Sequence, residues 1–399
     1  MGAPGSHPLT EASEQPILVW SDALRDYDFG PGHPLTPRRF GPGIDLLRAF
    51  GAGRLMAPEA ASDMELARLH VAHYIEQVRS FSDHPWQPPA MGVGTPDVPA
   101  FHGMHEAAAL VAGGSVGAVD RILAGDAAHA FSPAGGLHHA MRTRAAGFCI
   151  YNDVALAVAR ARDAGHRVLY VDLDVHHGDG TQTLFWHDPA VLTFSVHETG
   201  RRLFPGTGMI DETGADEAPG TAVNVPLEEG SGDASWWPVV ELVLPALAEA
   251  FQPTFIISQH GCDSHALDPL AHLRVTTASY ERACDLVDGL AHRYGEGRWL
   301  ATGGGGYDAY HVVPRSWAIV WLTQAHLDVH RETPAGWRER WADEALAFGP
   351  SVPPVDLIDA PQMVAPDPDG IVTRNLDRAH ASLDQALRLL AGVEQPGRG

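Results

Sequence analysis

The segment Val168-Leu169-Tyr170-Val171-Asp172-Leu173-Asp174-Val175-His176-His177-Gly178-Asp179-Gly180 leads an apolar run into a cluster of ligand-type side chains. Read as a strand, its period of two places Asp172, Asp174 and His176 on one face. Two carboxylates and an imidazole, with no arginine nearby in sequence, would repel or stay unsatisfied once buried. A bound cation resolves that conflict. The alternative is a set of polar side chains on a surface loop, and among 23 histidines any single one is ordinary. Three such groups at this spacing behind an apolar run point to metal chemistry.

Three further clusters have the same character. Gly135-Gly136-Leu137-His138-His139-Ala140 precedes Gly147-Phe148-Cys149. Adjacent histidines serve either as a metal pair or as a base and its helper, each tied to a carboxylate. Gln259-His260-Gly261-Cys262-Asp263-Ser264-His265 follows the apolar run Phe255–Ser258. Thr302-Gly303-Gly304-Gly305-Gly306-Tyr307 follows another. Consecutive glycines allow close backbone approach and can present one tyrosine to a pocket. A phosphate loop is ruled out there, because no Gly-Lys-Ser/Thr follows and the chain holds no lysine. Each cluster falls at a strand end or an adjoining loop, where open α/β sheets place their sites.

The elements that must position these groups alternate between short β-rich runs and longer helical patterns, the mark of a parallel sheet covered on both faces. Strands are expected at Ile17–Trp20, Arg167–Asp174, Val191–Val196, Thr254–Ser258 and Arg298–Thr302. The capping box Ser62-Asp63-Met64-Glu65 opens a helix toward Arg79. A second helix covers Met104–Leu123, broken or bent near Gly113-Gly114. A third covers Val154–Ala164, capped by Asn152 or Asp153. Others cover Trp236–Ala250, Ser279–Tyr294, Arg315–Val329 and Leu376–Leu390. The economical organisation is a flexible tail (1–16), one α/β catalytic domain (17–330) and a C-terminal extension (331–399) packed on or beside it.

Composition limits the partners. The 399 residues carry 27 Lys+Arg, all of them arginine, against 50 Asp+Glu, a net charge of −23. Such a balance argues against nucleic acid and against an anionic membrane surface. With 45% hydrophobic residues and ten Trp the chain can fill a sizeable core. Cys149, Cys262 and Cys284 are too few and too scattered for a disulfide framework, so a reducing, cytoplasmic setting is expected. Met1–Pro16 has no signal-peptide pattern, and its loose fit to a myristoylation pattern lacks a second membrane signal.

Taken together, the four clusters resemble the zinc-dependent histone deacetylase family, in its bacterial acetoin-utilisation branch, with matching stretches in family order from His33-Pro34 to Tyr307. The resemblance implies an arginase–deacetylase fold: a single α/β domain with a central, mostly parallel eight-stranded sheet and helices on both faces. It implies metal ligation by Asp174, His176 and Asp263, with Zn2+ the usual ion and Fe2+ compatible with such ligands. It makes His139 the general base, held by Asp179, and His138, held by Asp172, its electrostatic helper. Tyr307 would donate to the developing oxyanion. Asp97 would hydrogen-bond substrate backbone at the rim, Phe148 and Phe204 would wall the acyl-lysine tunnel beside Gly147, Leu270 would line its mouth, and Arg39 would lie near an inner acetate channel. Asp172 and Ser195 would contribute to a structural K+ site, with Phe185 near a second. The loop Ser264–Leu270 departs from the eukaryotic pattern, so His265 either reaches the pocket rim or is satisfied locally.

The implied substrate is an acetylated protein or a small cationic acyl-amine. The acidic surface suits both an acetylpolyamine and a basic acetylated peptide. A ureohydrolase of the same fold needs a second acidic ligand pair, and Asp263 is followed by Ser264 and His265 with no acid two positions on. A non-catalytic acyl-lysine binder would have lost the base, the ligands or the tyrosine, and all are present.

Overall fold

A computed structural model describes residues 15–349, 352–360, 363 and 366–392. The flexible-tail expectation for the first residues falls almost wholly outside them. Eight strands form one sheet: β1 Ile17–Val19, β2 Leu55–Met56, β3 His129–Ser132, β4 Val168–Asp172, β5 Val191–Glu198, β6 Ala222–Leu227, β7 Phe255–Gln259 and β8 Trp299–Thr302. Their order is β2-β1-β3-β8-β7-β4-β5-β6, and every pairing is parallel. β4 and β7 are buried along their whole length, as expected of strands covered on both faces.

Eleven α-helices connect the strands among the described residues: α1 Phe40–Ala49, α2 Asp63–Leu66, α3 Ala72–Asp83, α4 Met104–Leu123, α5 Asp153–Asp163, α6 Asp179–Leu184, α7 Asp233–Phe251, α8 Thr277–Gly295, α9 Val313–Gln324, α10 Ala335–Phe348 and α11 Ile371–Gly392. One run of packed neighbours joins α3, α4 and α5, and another joins α1, α9, α8, α7 and α11. α10 is tied to α1, with Trp337 Nε1 donating to Pro42 O at 2.9 Å. α11 lies along β6, where Ser382 Oγ donates to Asn224 O at 2.9 Å.

Register places the site. Ser132 pairs with Thr302, Thr302 with Gln259, Gln259 with Asp172, and Asp172 with Ser195. The first four of these residues are the last of their strands, while Ser195 lies within β5. The loops leaving β3, β8, β7 and β4 therefore emerge side by side, and these are the four clusters singled out above.

Several elements differ from the sequence reading. The capping box at Ser62 forms, but its helix stops at Leu66 and a new one begins at Ala72. The break turns His70 inward, where Nδ1 lies 3.0 Å from Met141 O and Nε2 accepts from Asn152 N. α4 is unbroken through Gly113-Gly114. Those glycines serve close packing instead, since a Cβ on Gly113 would sit 1.9 Å from Glu59 O. The strand at Arg167–Asp174 ends at Asp172, and the Arg315–Val329 helix at Gln324. β2, β3 and β6 carry weak sequence signals: the first two are very short, and β6 contains Asn224 and Pro226.

Candidate active site

Because β4 ends at Asp172, the three ligand-type residues do not share a strand face. Asp174 and His176 stand on the loop beyond, and the β7 loop brings Asp263 to them. His176 Nδ1 lies 3.1 Å from Asp174 Oδ1 and 3.1 Å from Asp263 Oδ2. Both carboxylates are buried, while the imidazole keeps 12% exposure. The remaining oxygens are fixed from behind. Asp174 Oδ2 accepts from Gln259 Nε2 at 2.6 Å and Gly305 N at 2.8 Å, and Asp263 Oδ1 accepts from Val175 N at 2.9 Å.

These residues fit a divalent transition metal. The three candidate ligand atoms lie within 4.8 Å of one another. One imidazole N–H cannot donate to two carboxylates at once, yet Nδ1 is equidistant from both. Burial opposes a charge on His176, but Asp174 and Asp263 outweigh it and push the ring up to about 10. A proton on His176 thus holds the place of a cation, and metal binding would release it. Glycines make the cradle: a Cβ on Gly305 would sit 2.0 Å from Asp263 Oδ2, and one on Gly261 2.0 Å from Asp174 Oδ2.

Beside this cluster the β3 loop presents His138 and His139. His138 Nδ1 lies 2.8 Å from Asp172 Oδ2, and His139 Nδ1 lies 2.7 Å from Asp179 Oδ1. Their Nε2 atoms are 3.0 Å apart. Burial disfavours charge on both rings. At His138 the carboxylates of Asp172 and Asp174 prevail and raise it to about 9. At His139 burial and the neighbouring His138 prevail over Asp179 and lower it to about 4. Tyr170 completes the support, its hydroxyl donating to Asp172 Oδ2 at 2.7 Å.

A narrow cleft is lined by His138, His139, Phe148, Asp174, His176 and Tyr307, with Gly147 and Gly305 in its wall. Burial, Asp263 and Asp174 keep the Tyr307 phenol well above its ordinary range, so it stays protonated. Its backbone N–H donates to Asp268 Oδ2 at 2.9 Å. Phe204, 44% exposed, sets its ring edge-on to His139 at 4.9 Å, and Phe148 does so to Tyr307 at 5.9 Å. Gly147 has φ +53°, and a Cβ there would meet His139 Cδ2 at 2.3 Å. Arg39 is buried behind the glycine loop, with Nη1 donating to Gly304 O at 2.7 Å. A second cavity lies on that side, lined by Tyr27, Arg39, Phe40 and Leu137.

Other expected residues sit differently. Asp97 Oδ2 accepts the Gly147 N–H at 2.8 Å, which makes it a brace for the cleft wall. The Leu270 N–H donates to Asp268 Oδ1 at 2.9 Å. His265 does not reach the rim. It is buried, with Nε2 2.8 Å from Asp359 Oδ2. Leu267 N donates to its Nδ1, so Nε2 carries the proton. Phe185 is a core residue at 3% exposure. Ser195 Oγ lies 2.8 Å from His197 Nδ1. His197 Nε2 is 3.0 Å from Gly208 O, a carbonyl that only accepts, so Ser195 donates and keeps its lone pairs.

Sequence reasoning assigned no site role to Gln259 or Asp268 and offered Asp153 only as a helix cap. Asp153 does not cap α5, which Asn152 does through Ala155 N. Its carboxylate instead takes the N–H groups of Gly136 and Leu137 and so shapes the turn before the paired histidines. Its place directly after the cap, inside an otherwise apolar first turn, was the available signal.

A parallel sheet whose consecutive strand ends gather two candidate ligand carboxylates, three imidazoles and a tyrosine around one cleft has the arginase–deacetylase fold. The chain belongs to the histone deacetylase family, whose model, the histone deacetylase domain, matches residues 33–324. Its relatives include the acetoin utilization protein AcuC of Bacillus subtilis (strain 168), 42% identical over 342 residues, which are 84% of this chain and 88% of that one. The AcuC of Staphylococcus aureus (strain MSSA476) is 36% identical over 341 residues, 84% and 88% of the two chains. That of Staphylococcus xylosus is 35% identical over 345 residues, 84% and 89%.

Proposed function

We propose that this deacetylase-family hydrolase removes acetyl or other acyl groups from the ε-amine of lysine in proteins, using a metal held by Asp174, His176 and Asp263. The observation that carries the reading is the pair His138 and His139, each on its own carboxylate, facing that ligand cluster within one cleft. The bound ion, Zn2+ or Fe2+, supplies Lewis acidity toward the acyl carbonyl and acidifies water.

The chain's own groups do the rest. Asp179 holds the Nδ1 proton of His139, leaving Nε2 to take a proton from the attacking water. His138, kept charged by Asp172, returns a proton to the departing amine. Tyr307, held as a phenol, donates to the oxyanion as the carbonyl rehybridises. Phe148 and Phe204 offer apolar walls to an alkyl stem, and Asp97 holds Gly147 so that the backbone clears His139. A structural K+ beside Asp172 and Ser195 fits the free lone pairs of that serine. Read this way, the chain comprises a catalytic domain over 17–330 and an extension over 331–399. Among the described residues no helix is long and apolar enough to cross a membrane. A cytoplasmic setting fits the three buried free thiols.

The test is a substrate panel of acetyl-lysine peptide, longer acyl-lysines, N-acetylputrescine and arginine on chelated and then zinc-restored protein. Metal-dependent turnover of the acyl-lysines is expected. Turnover of arginine alone, or activity indifferent to chelation, would overturn the reading, and preference for N-acetylputrescine would move the substrate to polyamines.

A further inference from the structure

At the opposite end of β3 from the active site, four residues from three elements converge. His129 opens β3, Asp288 and His292 stand one turn apart on α8, and His326 follows the end of α9. His292 Nε2 and His326 Nε2 lie 3.2 Å apart. Asp288 Oδ1 is 3.4 Å from His129 Nε2 and 3.5 Å from His292 Nε2, and Asp288 Oδ2 is 3.5 Å from His326 Nε2. The three rings are mutual neighbours, with centroids 5.1, 5.4 and 5.2 Å apart.

Hydrogen bonding explains only part of this arrangement, the contact between His292 and His326. His129 is 2% exposed, and neither of its ring nitrogens has a hydrogen-bond partner, nor does Asp288 Oδ1. Buried polar atoms left unpaired cost about 1–3 kcal/mol each. His326 follows α9 in the left-handed cap conformation, φ +53°, its N–H donating to Thr323 O at 2.9 Å, and this turn delivers its ring to the other two. Coordination accounts for the unpaired atoms of His129 and Asp288. A tetrahedral ion with ligand bonds of about 2.0–2.1 Å has ligand-to-ligand edges of about 3.3–3.4 Å; with Asp288 Oδ1 as the carboxylate ligand, three separations are 3.2, 3.4 and 3.5 Å, and one ligand atom from each residue lies within 4.8 Å of the others.

We propose that His129, Asp288, His292 and His326 form a second metal site, separate from the active site, for a divalent transition metal of the zinc class. Three imidazoles and one carboxylate suit Zn2+ and its neighbours, whereas Mg2+ and Ca2+ require more oxygen ligands. Four protein ligands complete a tetrahedron, which makes this a closed, structural site. The ion ties the start of β3, the middle of α8 and the exit of α9 together. His292 and His326 are half exposed, which leaves a path for entry.

The test is metal counting on stripped, zinc-reloaded and desalted protein, comparing wild type with His326→Asn and Asp288→Asn. Each variant should hold one zinc fewer per chain than wild type. Zinc should raise the melting temperature of wild type, with much of that rise lost in His326→Asn. Acetyl-lysine turnover by reloaded His326→Asn should stay within about twofold of wild type. A wild type with one zinc and a variant with none would still support this site while counting against metal at the active site. Equal zinc content in wild type and both folded variants would overturn the proposal, leaving an unmetallated histidine cluster.

Discussion

His138 and His139 face each other Nε2 to Nε2 at 3.0 Å while both Nδ1 atoms are committed to carboxylates. Two neutral rings so placed would oppose lone pair to lone pair, so one proton belongs between them. Asp172 and Asp174 put it on His138, which leaves His139 as the neutral ring of the pair. His139→Ala should lower kcat about 10²–10⁴-fold with little change in KM and with metal content intact. Steady-state kinetics with metal analysis checks this, and a variant retaining full kcat would remove His139 as the base.

Tyr307 lines the cleft and is held as a phenol. Tyr307→Phe keeps the ring and deletes one donor, so kcat should fall about 10²–10³-fold. Binding of an acyl-lysine inhibitor that presents no oxyanion should be unchanged. An equal loss in that binding would assign the hydroxyl to ground-state recognition.

Gly305 donates its N–H to Asp174 and leaves no room for a Cβ beside Asp263. Gly305→Ala should displace a ligand carboxylate and weaken zinc affinity about 10–100-fold, as measured by competition with a chelating dye. Unaltered affinity would mean that the glycine loop only carries Tyr307.

Asp359 fastens residues beyond α10 to the catalytic body. It accepts from His265, from Thr277 and, at 2.6 Å, from Arg315 Nη1. Burial would raise its pKa, but His265 and Arg315 outweigh burial and hold it well below the usual carboxylate range. The unfolded chain therefore takes up this proton first. The stability contributed is present above about pH 4 and is lost as pH falls below it. Asp359→Asn strands Arg315 and should cost about 3–5 kcal/mol at pH 7, a deficit that shrinks in acid. Urea titrations across pH 3–7 test this, and a pH-independent deficit would refute the linkage.

The site was legible because each of its four parts is a contiguous string at a strand end, where chemistry and secondary structure coincide. Asp174, His176, Asp263, the paired histidines and Tyr307 line up once parallel strands set their register. Groups that act across long separations were not legible. His265 meets Asp359, and His129 meets His292 and His326, only through tertiary packing. Asp97 has an ordinary loop context that gives no hint of its bond to Gly147. The weak strands β2 and β3 were missed because two to four residues carry no measurable periodicity, although the parallel sheet around them was apparent.

The helix α11 along β6 has a consequence for colloidal behaviour. β6 is an outermost strand, six residues long, and its outward backbone groups are a template for another molecule's strand. Ser382 and Arg378 instead occupy the carbonyls of Asn224 and Pro226, and the arginines of α11 clamp Glu228. At the other margin β2 is only two residues long and too short to recruit a neighbour. One margin is guarded by brevity and the other by a helical shield, so loss of the shield would expose a sticky ribbon and favour polymerisation before it impaired the chemistry.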